Sequence, residues 1–232
     1  MDCRSYLGPY LLGPNDENQG IYTGDARELA RAIPDESVDL IFTDPPYPKE
    51  FLPLYGWLAE ESARILKSGG SLFALAGGYW LMDVLDLVKP HLQYHWLCCM
   101  YHPTVTHSYR CFPKRLDVYW KPILWFTKNG YTGPFLADGI NTSIPDKRFH
   151  TWGQQERWAF SFLQRMPSDW VIVDPMVGGG TVPAVCKMLG RRWLAFEIDP
   201  DTAERARERV RNTQPPLFVM EPEQQVMDFQ QG

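Results

Sequence analysis

The chain has 232 residues, of which 23 are Lys or Arg and 28 are Asp or Glu, giving a formal net charge of −5. With 44% hydrophobic and 22% charged residues, it has the composition of a folded chain with a sizeable core, which excludes a disordered polymer. No run reaches the roughly 18 apolar residues of a membrane span, and five cysteines without a Cys-x-x-Cys pair point to a reducing cytoplasm rather than a disulfide scaffold.

In chain order, Ile21-Tyr22-Thr23 reads as a short strand ending at Gly24-Asp25, and Ala26 to Ile33 as a helix stopped by Pro34. Val38 to Thr43 is a buried strand that must end at Asp44-Pro45-Pro46-Tyr47, because proline cannot continue a central strand. Leu54 to Leu66 has helical spacing and Ser68-Gly69-Gly70 closes it. Ser71 to Ala76 is a strand, Tyr79 to Val88 a helix, and Leu92 to Tyr101 and Ile123 to Phe126 are strands. Gln155 to Met166 reads as a helix, followed by a strand at Val171-Ile172-Val173 and a turn from Asp174 to Thr181. Val182 to Leu189 is a helix, Trp193 to Phe196 a strand, and Asp201 to Val210 a helix. Strands alternating with helices predict an α/β fold, a mostly parallel sheet with helices on both faces. Ligands bind such sheets at the carboxyl ends of the strands, where the short motifs of this chain fall. Met1-Asp2-Cys3-Arg4 lacks the layout of a secretory signal, and the tail 214–232, rich in Pro, Gln and Glu, reads as loose.

Asp174 to Thr181 places Gly178, Gly179 and Gly180 between a strand and a helix, so the backbone can approach a ligand closely. Glu197 ends the next strand about 20 residues on, the spacing of an acid that accepts hydrogen bonds from ribose hydroxyls. Residue 183 is Pro, so the dinucleotide pattern is broken, and no Gly-Lys-Ser/Thr follows. Asp174 would repel a pyrophosphate and suit a cationic amine, which points to an adenosine carrying an amino acid: S-adenosylmethionine. A tight strand–helix crossing with no ligand is the structural alternative.

Asp44-Pro45-Pro46-Tyr47 is the most informative tetrapeptide. An exocyclic amine on adenine or cytosine is a poor nucleophile, because its lone pair is delocalised into the ring. The Asp44 carboxylate and a backbone carbonyl of the proline pair can accept its two N–H groups and direct the lone pair outward. Proline holds those acceptors in place beforehand, and Tyr47 can stack on the base. Proximity and orientation then supply much of the acceleration, so Asp44 need not be a strong base. A target inside a duplex has to be flipped out.

Residues 101–150 carry seven basic and three acidic side chains, +4 against −9 for the rest, together with ten aromatics. Basic groups neutralise phosphates and rings stack on unpaired bases, so Arg110, Lys114, Arg115, Lys147 and Arg148 are candidate DNA contacts. Read without the other motifs, the segment fits a strand-rich stretch with aromatics in the core. The group His91, His95, Cys98, Cys99, His102, His107 and Cys111 is read as no metal site, since strand alternation divides these side chains between faces. The run Arg205, Arg207, Arg209, Arg211 reads as a solvated helix face.

Together these residues resemble the β class of DNA amino-methyltransferases, in which the DPPY motif precedes the glycine motif with a basic segment between them. The likeness covers roughly residues 20–211. It implies a Rossmann-like sheet of seven strands with one antiparallel edge hairpin, in circularly permuted order. It implies one methyltransferase domain over 1–213, with a target-recognition insert at about 101–150. It implies catalysis by Asp44, Pro45, Pro46 and Tyr47, with S-adenosylmethionine held by Asp44, Asp174, Met176, Gly178, Gly180, Thr181 and Glu197. Asp25 sits where the family places a carboxylate on the cofactor adenine, and Trp152 and Gln154 lie in a stretch that lines the same site. Met176 and Gly179 replace the family's Phe and Ser. The implied substrate is double-stranded DNA, and the short insert would gain reach in a homodimer. DPPY favours N6 of adenine; N4 of cytosine and a non-catalytic nucleic-acid-binding subunit are the alternatives.

Overall fold

The computed structural model describes residues 6–14, 17–101, 109–141 and 156–214. The elements follow in chain order. A small hairpin, β1 (Tyr6–Leu7) and β2 (Tyr10–Leu11), precedes β3 (Ile21–Thr23) and α1 (Ala26–Leu29), which tightens into a 3₁₀ turn over Ala30–Ala32. Then come β4 (Val38–Thr43), α2 (Leu52–Ile65), β5 (Leu66–Leu75), α3 (Leu81–Val88) and β6 (Gln93–Tyr101). A second hairpin, β7 (Tyr109–Cys111) and β8 (Leu116–Val118), leads into β9 (Trp120–Thr127) and β10 (Gly139–Asn141). The chain continues with α4 (Glu156–Leu163), β11 (Val171–Asp174), α5 (Thr181–Met188), β12 (Arg192–Glu197) and α6 (Pro200–Asn212).

One sheet has the order β10-β6-β9-β5-β4-β11-β12-β3. Every pairing in it is parallel except the two that β9 makes, with β5 and with β6. The expected mostly parallel α/β sheet is therefore present. It has eight strands among the described residues, not seven, because β10 adds in parallel to the outer side of β6. The antiparallel pairing also lies inside the sheet rather than at its edge.

The sheet is buried on both faces, so its central strands are apolar at nearly every position. In β4, Ile41 faces a core shared with Tyr55 and Leu58 of α2 and Val84 and Val88 of α3. Leu40 and Phe42 face the opposite core, built on Trp158 and Phe162 of α4, Val182 and Val185 of α5, and Ala206 and Val210 of α6. Phe42 stacks on Trp158 at 4.8 Å between ring centroids, and Phe73 stacks on Trp125 at 4.8 Å.

Ser68-Gly69-Gly70 does not follow the helix as a cap but lies within β5. The Gly69 amide donates to the Lys128 carbonyl (2.7 Å) and the Lys128 amide to the Gly70 carbonyl (3.0 Å), which draws the pair into the sheet beside the end of β9. The arginine run on α6 is not a uniformly solvated face. Arg209 is 2% exposed, and the Arg207 guanidinium donates to the Ile21 carbonyl and Thr23 Oγ1. Among the described residues no helix is long and apolar enough to cross a membrane.

Candidate functional site

Parallel strands end on the same side, so the sheet delivers its loops to one edge. Asp25 follows β3, Asp44 follows β4, the glycine turn follows β11 and Glu197 closes β12. These loops open onto one cavity of about 1090 Å³, above the roughly 300–1,000 Å³ typical of small-molecule sites. Asp25, Asp44, Pro45, Pro46, Tyr47, Met176, Gly178 and Glu197 line it. The two motifs singled out in the sequence, 130 residues apart along the chain (44 to 174), thus share one chamber.

Asp25 caps α1, accepting from the Arg27 amide (2.9 Å), and pairs with the Arg27 guanidinium (2.6 Å). The Arg27 hydrogen bond holds its carboxyl below the usual carboxylate range. Glu197 accepts from the Gly178 amide (2.9 Å) and from the Asp199 amide (3.1 Å), which fixes the acid against the glycine turn. A carboxylate has about four lone-pair sites, so Glu197, with two donors, retains acceptor capacity, whereas the Arg27 amide and guanidinium already make four contacts to Asp25. In the DPPY loop the Tyr47 hydroxyl donates to Asp44 Oδ1.

Asp174, Gly180 and Thr181 do not line the cavity. Asp174 is 4% exposed and accepts from Thr43 Oγ1 (2.8 Å) and the Met176 amide (3.2 Å). It ties the end of β11 to the end of β4, one residue before Asp44. Burial pushes its carboxyl up to about 7. Gly180, at φ 76°, lies against Ala206 of α6, and Thr181 Oγ1 accepts from Arg209 (3.0 Å). Arg209 also donates to the Gly179 carbonyl (2.9 Å) and pairs with Glu156 (2.9 Å), holding the glycine turn from behind.

Trp152, Gln154, Lys147 and Arg148 lie outside the described residues. Arg110 pairs across the β7–β8 hairpin with Asp117 (2.8 Å). Lys114 and Arg115 occupy its exposed turn, with Lys114 Nζ 5.3 Å from the centre of the Tyr79 ring. The aromatics of the 101–150 segment divide between two roles. Trp125 and Phe126 are core residues, whereas Phe112, Tyr119 and Trp120 are exposed.

The sequence reading did not assign Lys121, Phe51, Trp57, Tyr79 or Trp80 to the site, yet all line the cavity. Lys121 Nζ lies 5.1 Å from the centre of the Tyr47 ring and 3.4 Å from its hydroxyl. It arrives there because β9 is antiparallel: its amino end meets the carboxyl ends of its neighbours.

No protein-family model matches the chain. It is 25% identical over 244 residues to the type II methyltransferase M.BamHI of Bacillus amyloliquefaciens, covering 83% of this chain and 57% of the relative. It is 24% identical over 241 residues to the type II methyltransferase M.HpaI of Haemophilus parainfluenzae, covering 83% of this chain and 74% of that one. The chain therefore spans little more than half of the first relative's length. Among solved structures, PvuII DNA methyltransferase (cytosine-N4-specific) superposes with a TM-score of 0.70 at 18% identity, over 82% of this chain and 85% of that one. The M1.HpyAVI–SAM complex superposes with a TM-score of 0.68 at 20% identity, over 82% and 98%.

Proposed function

Since the chain is a homologue of type II DNA methyltransferases and has the fold of a DNA amino-methyltransferase, we propose that it transfers a methyl group from S-adenosylmethionine to an exocyclic amine of a nucleobase in DNA. The observation that carries this reading is the common chamber of the DPPY loop and the glycine turn. A methyl donor and an acceptor amine must meet in line, and a single cavity walled by both motifs allows it.

The lining fits the cofactor. Glu197, fixed on the Gly178 amide, is available to the ribose hydroxyls, and Asp25 reaches the adenine amine once the Arg27 guanidinium gives way. Phe196, Ile198 and Met176 give the adenine an apolar bed. Bound there, S-adenosylmethionine supplies a methyl group on a sulfonium centre that leaves as a neutral thioether. Asp44 and a proline carbonyl accept the two amine N–H groups and orient the nitrogen lone pair; Tyr47 supports the base face. The N–C bond forms as the S–C bond breaks, and one amine proton is then released toward Asp44 or water. Asp174 holds the two loops in register through Thr43 rather than touching the ligand.

In this reading residues 1–213 form one catalytic domain, and Arg110, Lys114 and Arg115 meet the DNA. N6 of adenine is the proposed acceptor, because Asp rather than Ser heads the loop. The likeness to PvuII keeps N4 of cytosine as the second reading. The test is incubation with cofactor and mixed-sequence DNA, then digestion to nucleosides and mass spectrometry. N6-methyladenine supports the first reading and N4-methylcytosine the second. No methylated nucleoside, or one formed equally by Asp44→Ala, overturns the proposal.

A further inference from the structure

The mouth of the cavity holds more flat aromatic surface than one extruded base can cover. Phe51, Tyr79, Trp80 and Trp120 line it in addition to Tyr47, and Phe51, Tyr79 and Trp120 are 41%, 40% and 40% exposed. Tyr79 and Trp80 meet edge to face at 4.7 Å. Three of the rings carry a lysine. Lys49 Nζ is 5.3 Å from the centre of Trp80, Lys114 Nζ 5.3 Å from that of Tyr79, and Lys121 Nζ 5.1 Å from that of Tyr47. The lysines come from three separate places: the start of the segment before α2, the β7–β8 turn and the first residues of β9. Glu50 lines the cavity with them, as do Asp25, Asp44 and Glu197.

A ring paired with a cation is what a single strand of nucleic acid uses: the base takes the ring face and the phosphate takes the ammonium. A base within a duplex offers only its edges, since its faces are covered by its neighbours. An extruded base has two faces, and Tyr47 takes one of them. One further ring can take the other face, and the rest of the aromatic surface fits unpaired nucleotides next to the target. The chain as a whole carries a net charge of −5, so the lysines on these rings mark a local path for a polyanion.

We propose that the ring-and-lysine mouth formed by Tyr79, Trp80, Trp120, Lys49 and Lys114 is a stacking platform for unpaired nucleotides flanking the target, so that single-stranded or locally melted DNA is bound more tightly than intact duplex. This rests on the methyltransferase reading and specifies the form of DNA that the site accepts.

The test needs no knowledge of a recognition sequence. Quenching of tryptophan fluorescence is titrated with a mixed-sequence DNA strand and with the duplex of that strand, at one salt concentration and without cofactor. The single strand binds roughly tenfold or more tightly than the duplex, and Tyr79→Ala with Trp80→Ala loses at least that much single-strand affinity while the circular dichroism spectrum is unchanged. Lys49→Ala with Lys114→Ala, both on the surface, lowers the salt dependence of single-strand binding by about two phosphate contacts. This pair keeps the test open if the aromatic double variant does not fold. Duplex binding equal to or tighter than single-strand binding overturns the proposal, as does an unchanged salt slope in the lysine variant. The nucleoside assay on duplex DNA separates the two failures: methylation of duplex without single-strand preference removes this inference and leaves the enzyme.

Discussion

The Tyr47 hydroxyl donates its hydrogen to the Asp44 carboxylate within the same loop, so one of the acceptors needed for a target amine is already engaged. An amine that takes the same oxygen, Oδ1, displaces the phenol. Lys121 Nζ, 3.4 Å from the phenol oxygen, remains as its partner when that happens. Tyr47→Phe keeps the ring and removes the competitor. A hydrogen bond to a charged group contributes about 1.5–3 kcal/mol at most, so KM for DNA should fall by several-fold in this variant. Tyr47→Ala also removes the stacking face and should raise KM roughly tenfold. Steady-state kinetics on one DNA preparation decide the matter; a KM that rises equally in both variants would show that the hydroxyl does not compete.

Asp174 makes stability depend on pH. Burial raises its carboxyl from 3.8 to about 7, against the opposing hydrogen bonds from Thr43 and Met176, and the charges of Asp44 and Glu197 push the same way as burial. The folded value lies above the unfolded one. Its stabilising contribution is therefore full below about pH 3.8 and is lost as pH rises through about 7. Asp174→Asn keeps an oxygen for both donors and cannot ionise. Its urea midpoint should decline less than that of the wild type between those two pH values. Parallel midpoint curves for the two proteins would remove Asp174 as the source.

Much of this arrangement was legible from residue order. Val38 to Thr43 could only be a buried strand, and the prolines after it forced the loop that carries Asp44. The β-branched run Val171-Ile172-Val173 before Asp174 and the apolar run Trp193 to Phe196 before Glu197 placed the glycine turn and the second acid at the same sheet edge. Lys121 was not legible, because its place depends on β9 running against its neighbours, and strand direction leaves no mark in a single sequence. Ser68-Gly69-Gly70 misled for a related reason: glycines that look like a helix stop are recruited into β5 by the distant Lys128 backbone. Arg209 looked like one member of a solvated row. Its burial follows from the glycine turn lying underneath it, a tertiary fact.

Arg209 should be among the costlier single positions to alter. It is 2% exposed and serves the Gly179 carbonyl, Thr181 Oγ1 and Glu156 at once. Arg209→Met leaves a buried carbonyl and hydroxyl without their donor, and should lower unfolding free energy by about 3 kcal/mol. Glu156 is 41% exposed, so water can replace it, and Glu156→Gln should cost less than about 1 kcal/mol. Urea denaturation of the pair checks the contrast. Similar losses would mean that the ion pair, rather than the grip on the turn, is what matters.

The two left-handed glycines of the turn should differ in their sensitivity to a methyl group. Gly178 has φ 48° and open space where a Cβ would go, so Gly178→Ala carries only the conformational strain, about 1 kcal/mol. Gly180 has φ 76°, and a Cβ there would lie 3.1 Å from both the Cα and the Cβ of Ala206. The neighbour is helix backbone and cannot rotate away, so Gly180→Ala must also shift α6 by a few tenths of an ångström. That variant should lose roughly 2–4 kcal/mol, with the excess over Gly178→Ala reporting the helix contact. The displacement reaches Arg209, which holds Gly179 from the same helix. Cofactor affinity, measured by equilibrium dialysis with labelled S-adenosylmethionine, should therefore fall in Gly180→Ala even though Gly180 does not line the cavity. Full affinity in a folded Gly180→Ala protein would show that the turn tolerates the shift of α6, and that its geometry is set by β11 and Glu197 instead.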